Sequence, residues 1–272
     1  MTSFRKGLYV LPSMFTAGNL ASGFISVICA INGNFNAAAW FIILAIVFDM
    51  SDGRVARLTK TMSKFGMEFD SLCDLVSFGV APAVLMYQLV LNTMGNAGIA
   101  IAVVFVIASA TRLAKFNVKA MEPVDKTKVY SDTFSGLPTP ASAGLIASFV
   151  LSYEIFDGTV LNFKTIPLLM KKMPFFFNAM PVIMLLLAFL MVSTVPYGAF
   201  KHIKWTRPKS IQVFFLVVVF VALICTYPQN TIFIIFLLYI LSGFVVLLVR
   251  GYKIKKAMLK MKKENKEEKQ NG

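Results

Sequence analysis

Residues 49–74 read DMSDGRVARLTKTMSKFGMEFDSLCD and set four aspartates, Asp49, Asp52, Asp70 and Asp74, at the ends of two otherwise strongly apolar segments. Carboxylates are costly there, so a functional reading is the default. At about 100° per residue, Asp49, Asp52, Gly53 and Ala56 fall on roughly one side of a helix, and Gly66, Asp70 and Asp74 on one side of the next. Each helix thus offers a face of acids beside residues too small to block a close neighbour.

Outward from this stretch the chain is apolar. Its 272 residues are 57% hydrophobic, and the mean hydropathy is +0.73, which fits an all-α integral membrane protein. Apolar segments at Val10–Ile31, Ala37–Phe48 and on into the acidic stretch, Gly66–Leu91, Ile99–Phe116, Pro138–Ile155, Phe175–Val195, Ile211–Tyr227 and Thr231–Val249 predict about eight transmembrane helices. Basic residues before the first segment are also a mark of a signal peptide. That segment is long for one and carries Thr16, Gly18, Asn19 and Ser22 in its middle, so it is read as a helix. Pro138 and Pro140 suit the first turn of the fifth helix, and Pro181 predicts a kink in the sixth.

Several functions are excluded at this point. Cys29, Cys73 and Cys225 lie far apart in apolar segments and read as core residues, not as a zinc site or disulfide frame. His202 is the only histidine, which removes a histidine-based triad. The formal net charge of +14 is spread between the apolar segments, as expected for contact with anionic lipid and not for nucleic acid. The turns after the first, third and seventh segments carry no Lys or Arg, whereas the loops after the second, fourth and sixth are basic. This pattern predicts both termini in the cytoplasm, with a basic tail at 251–272. The loop 154–173, with Lys164, Lys171 and Lys172, is less tidy. All four aspartates then lie near the cytoplasmic surface of the cell membrane, on one antiparallel pair.

Four ionised carboxylates in a poorly hydrated place repel one another, and some take up protons unless a cation compensates them. With oxygen ligands and no nearby His or Cys, hard ions such as Mg²⁺, Mn²⁺ or Ca²⁺ fit, and two ions sharing the set would suit phosphoryl chemistry. Arg57 and Lys64 beside the acids suit an anionic ligand. Mere surface pairing with Arg54, Arg57, Lys60 and Lys64 would need no glycines on the same face. A cation transporter would need acids continuing across the membrane.

The pattern Asp49-x2-Asp52-Gly53-x2-Ala56-Arg57-x8-Gly66-x3-Asp70-x3-Asp74 resembles the signature of the CDP-alcohol phosphotransferases. The resemblance implies a six-helix catalytic membrane core at 1–200, two additional transmembrane helices at 201–250, and a homodimer. It implies transfer of a phosphatidyl-type group from a CDP-activated lipid to an alcohol, with release of CMP. Carried over by position, Asp49, Asp52, Asp70 and Asp74 would hold two divalent cations, Mg²⁺ or Mn²⁺, and Asp74 would be the general base. Gly53, Ala56 and Arg57, with Lys64 and Gly66, would form the CDP-lipid pocket.

Three further segments are similar to the serine-using branch of that family: Thr16-Ala17-Gly18-Asn19-Leu20 with Gly23, Arg112-Leu113-Ala114-Lys115-Phe116-Asn117, and Phe134-Ser135-Gly136-Leu137-Pro138-Thr139-Pro140. They imply CDP-diacylglycerol and L-serine as substrates. Asn19 would lie near the nucleotide, and Arg112, Lys115, Asn117 and Ser135 near the lipid phosphate or the serine. Ser13 stands where the branch has Asn, and Lys115 where it has Arg, which keeps the charge without the bidentate fork. Glycerol 3-phosphate or inositol phosphate as acceptor would share every aspartate.

Overall fold

The computed structural model describes residues 2–59, 64–121, 136–154, 174–195, 197 and 226–243, with side chains from Ser13 onward except at 56–59, 153–154 and 174–177. Every regular element among them is helical: α1 Thr2–Ile31, α2 Phe35–Thr59, α3 Lys64–Asp74, α4 Ala81–Leu89, α5 Asn96–Met121, α6 Thr139–Glu154 and α7 Pro174–Val192, then α8 Pro228–Gly243. Four stretches are long and apolar enough to cross a membrane: Ser13–Ile31, Phe35–Val55, Lys64–Leu89 and Asn96–Met121. The predicted Ile211–Tyr227 helix, apart from its last two positions, lies outside the described residues with His202 and the basic tail.

The first hairpin follows from its turn chemistry. Gly33 takes φ 77°, a conformation cheap only without a Cβ, and ends α1 while the Asn34 N–H donates to the Cys29 carbonyl at 2.9 Å. The Asn34 Oδ1 then accepts the Ala37 N–H at 3.1 Å. This cap starts α2 at Phe35, slightly before the predicted Ala37. Ala30, Ala38, Ala39 and Ala45 of these helices are buried, and Ser26 Oγ donates to the Ala38 carbonyl at 2.8 Å. Small residues permit this close approach in an apolar solvent.

The third predicted helix, continuous from Gly66 to Leu91, is not regular. After Asp74 the chain widens into a π-helical stretch, Leu75–Val80, in which the Ala81 N–H reaches back to the Val76 carbonyl. Pro82 in the first turn of α4 gives the reason. A proline ring clashes with the carbonyl four residues before it in a regular helix, and a wide turn removes the clash. The widening re-aims the side chains: Asp70 and Asp74 face a cavity, while Phe78 joins the apolar core.

Two glycines set how closely neighbours approach this helix. A Cβ on Gly23 of α1 would stand 2.6 Å from Ser77 Cα, and one on Gly79 would stand 3.1 Å from Ser109 Cβ of α5. At the other side of the bundle, Gly136 takes φ 88°, its N–H donates to the Val195 carbonyl at 2.9 Å, and the Leu137 N–H donates to the Leu190 carbonyl at 3.0 Å. This strap fastens the start of α6 to the end of α7. Met191 Sδ accepts from Ser109 Oγ at 3.6 Å and Ser142 Oγ at 3.3 Å, joining α5, α6 and α7. Phe24, Val47, Val103, Ile107, Val182 and Phe189 point outward, so the helices are apolar on the outside as well as within, as lipid-facing helices are.

Gly23→Ala should part α1 from the wide turn, an overpacking cost of about 1–3 kcal/mol. Thermal unfolding in detergent checks it. Gly33→Ala, with open space around the added methyl and only its positive φ to strain, should lower the midpoint less.

Candidate active site

α2 carries Asp49 and Asp52, and α3 carries Asp70 and Asp74. One carboxylate oxygen from each of Asp49, Asp70 and Asp74 lies within 4.8 Å of the other two. Asp52 is buried, and its Oδ2 accepts from Thr16 Oγ1 at 3.0 Å. It remains an electrostatic neighbour of both Asp49 and Asp70. A second tie comes from Asn19, whose Nδ2 donates to Asp74 Oδ1 at 2.9 Å. Residues three apart share a helix face, so Thr16 and Asn19 let α1 grip both acidic helices at once.

Magnitudes decide what this cluster needs. Two like charges 4 Å apart repel by about 4 kcal/mol at an effective dielectric of about 20. Three such pairs approach the whole ~5–15 kcal/mol stability of an ordinary domain. Bound protons or nearby cations must therefore offset them. Arg112 of α5, within electrostatic reach of Asp74 and Asp49, supplies one cation. In addition, Asp70 Oδ1 is buried with no hydrogen-bond partner, a position that a bound ion explains. All donors are carboxylate oxygens, so the site fits a hard divalent cation.

The carboxylates open onto a cavity of about 400 Å³ lined by Asp49, Asp70, Asp74 and Arg112, and also by Tyr197 and Tyr239. Arg112 is held by donating from Nη1 to Thr139 Oγ1 at 3.0 Å. That contact gives the Gly-Leu-Pro-Thr-Pro run its place: the strap at Gly136 and Leu137 presents Thr139 to the guanidinium. Asn117 also lines the cavity, but its amide donates to Glu68 Oε2 at 3.1 Å and its carbonyl accepts from Ser71 Oγ at 3.0 Å, so it ties α5 to α3.

Other predicted site residues are placed differently. Lys115 is exposed, and its Nζ reaches the Val192 carbonyl at 3.4 Å. Gly53 is half-buried on α2, and Lys64 and Gly66 stand in the first turn of α3, exposed and half-buried respectively. Ala56 and Arg57 continue α2 for another turn, but their side chains, and all of Ser135, lie outside the described residues.

Sequence reading missed the two tyrosines, because aromatic residues in or beside apolar helices ordinarily read as core. Their rings pair at 5.8 Å. Burial, with Tyr239 beside it, pushes the Tyr197 phenol up to about 12. It therefore stays a neutral hydroxyl at pH 7 and donates to the Ile240 carbonyl at 3.5 Å.

Residues 9–171 match the CDP-alcohol phosphatidyltransferase family. The chain is 36% identical over 241 residues to a CDP-diacylglycerol–serine O-phosphatidyltransferase of Helicobacter pylori, covering 88% of this chain and 91% of the relative. It is 37% identical over 144 residues to an archaetidylserine synthase of Methanothermobacter thermautotrophicus, covering 52% and 58%. With a CDP-diacylglycerol–serine O-phosphatidyltransferase of Bacillus subtilis it shares 33% identity over 144 residues, covering 53% and 77%. The acidic, membrane-type helical site is that of a transferase, and the chain belongs to the CDP-alcohol phosphatidyltransferase family.

Asp70→Asn removes one of the crowded charges and one oxygen that a bound cation would use. In EDTA the variant should melt at or above the wild-type temperature, whereas the stabilisation that Mn²⁺ gives the wild type should shrink. Thermal melts with and without Mn²⁺ measure both, and a variant that melts lower in EDTA would make Asp70 a packing residue.

Proposed function

We propose that this protein is a phosphatidylserine synthase, transferring the phosphatidyl group of CDP-diacylglycerol to the hydroxyl of L-serine with release of CMP. One observation carries the reading: the carboxylate cluster of Asp49, Asp70 and Asp74 shares a cavity with Arg112, in a chain similar along most of its length to a CDP-diacylglycerol–serine O-phosphatidyltransferase. The acidic part suits cations and a proton, and Arg112 suits an anionic group of lipid or acceptor.

Asp49, Asp52, Asp70 and Asp74 would hold two divalent cations, Mg²⁺ or Mn²⁺, which when bound neutralise charge on the diphosphate and on the departing CMP. Asp74 is the general base. Asn19 fixes one of its oxygens and leaves the second to take the proton of the serine hydroxyl. The freed oxygen forms a bond to the lipid-side phosphorus as the bond from that phosphorus to the oxygen of CMP breaks. Thr16 orients Asp52, and Thr139 orients Arg112. Gly53, Ala56 and Arg57 of α2, with Lys64 and Gly66 of α3, form the CDP-lipid pocket. Lys115 and Ser135 serve the lipid phosphate or the serine.

The wider architecture belongs to the same reading. About eight spans, a six-helix core at 1–200 and two further helices at 201–250 cross the cell membrane. The basic loops support a cytoplasmic position for the site, both termini and the tail at 251–272. The enzyme acts as a homodimer.

Purified enzyme in mixed micelles with CDP-diacylglycerol should release CMP with L-serine and not with glycerol 3-phosphate or inositol phosphate, and EDTA should abolish the release. No serine turnover would sink the acceptor assignment. Asp74→Asn should lower kcat by roughly 10²–10⁴-fold, the usual worth of a general base. Mn²⁺ binding, followed by calorimetry, should be largely retained.

A further inference from the structure

α8 is seated on the bundle by shape. The Phe236 ring fills the space that a Cβ on Gly144 of α6 would occupy, and the Tyr197 ring does the same at Gly243. Phe233 pairs with Phe149 of α6 at 6.4 Å, and Ile240 is buried while its carbonyl accepts from Tyr197. Phe233, Phe236, Ile240 and Gly243 recur every three or four residues, so together they define one face and fix the rotation of α8 about its axis. Tyr239, beside Ile240, is thereby turned into the cavity that holds the aspartates and Arg112. It is an electrostatic neighbour of Arg112, and its ring rests against Tyr197.

The match to the family covers residues 9–171, and both tyrosines lie beyond it. The aspartates are inside that match, as the chemistry of metal and diphosphate requires. A group that enters the same cavity from beyond it is free to serve whatever distinguishes one acceptor from another. The charges indicate which part of the acceptor that is. A carboxylate is repelled by Asp49, Asp70 and Asp74, and the cavity offers it the Arg112 guanidinium. One arm of that guanidinium is already committed to Thr139, so a second donor beside it completes the recognition of two carboxylate oxygens.

We infer that Tyr239 is a specificity-determining residue: its phenol hydroxyl and the Arg112 guanidinium jointly receive the carboxylate of an amino-acid acceptor, so that α8 selects serine over alcohols lacking that group. The inference rests on serine being the acceptor.

The test compares wild type with Tyr239→Phe in mixed micelles, following CMP release with L-serine and with serinol. Serinol keeps the amine and a hydroxyl but has a hydroxymethyl group in place of the carboxylate. Loss of a hydrogen bond to a charged group should raise the KM for serine roughly tenfold or more. The preference for serine over serinol should fall by the same factor, while kcat, the KM for CDP-diacylglycerol and the thermal midpoint stay near wild type, a split that a merely structural tyrosine would not give. An unchanged preference in a variant of an enzyme that turns over serine would overturn this assignment and leave the serine reading standing. A rise in the KM for CDP-diacylglycerol instead would also overturn it, giving the phenol to the lipid phosphate. Wild-type turnover of another alcohol but not serine would overturn both.

Discussion

Like charges crowded in an apolar bundle are the constraint on which the rest of this structure depends. Asp49, Asp70 and Asp74 bring carboxylate oxygens within 4.8 Å of one another, and no amount of apolar packing cancels such a repulsion. The compensation is drawn from separate parts of the chain. Thr16 and Asn19 on α1 donate to Asp52 and Asp74, and Arg112 on α5 is steadied by Thr139 on α6. The site is therefore complete only when the bundle is, and its geometry is a property of helix packing more than of any one loop.

That dependence runs through small residues. Hydrogen bonds between helices in lipid contribute only about 1–2 kcal/mol each at most, so they need backbones already close. Gly23 provides the closeness at the wide turn. Where it lets α1 approach, Ser77 Oγ donates to the Asn19 backbone carbonyl at 2.9 Å, while the Asn19 side chain holds Asp74. A packing contact and the hold on Asp74 thus meet in one residue, and a change at Gly23 would reach Asp74 without touching it.

The aspartates were legible in the sequence because carboxylates in apolar helices have few bland explanations, and their spacing alone gave two acidic faces. Asn19 was legible only through the family resemblance. Its partner Asp74 is 55 residues away along the chain, a distance that no local pattern spans. Pro82 stood in plain view within the third apolar segment, yet hydropathy does not say whether a proline yields a kink, a break or a wide turn. Arg112 and Lys115 look alike in sequence and part in space, because the end of α7 offers Lys115 a carbonyl at Val192. Tyr239 was hidden for a different reason. Only the fit of its helix against Gly144 and Tyr197 turns it inward, and such fits are written in three dimensions.

The wide turn after Asp74 lets one helix change which way its side chains face without breaking its backbone pairing. A loop at that depth would leave peptide groups seeking partners in hydrocarbon, where each orphan costs several kcal/mol. The π-helical stretch keeps its peptide groups paired and merely shifts the phase of the side chains. The same rod of polypeptide consequently has two surroundings: its first turns, with Asp70 and Asp74, line the acidic cavity, and its later turns, with Phe78 and Leu85, are sealed in the apolar interior.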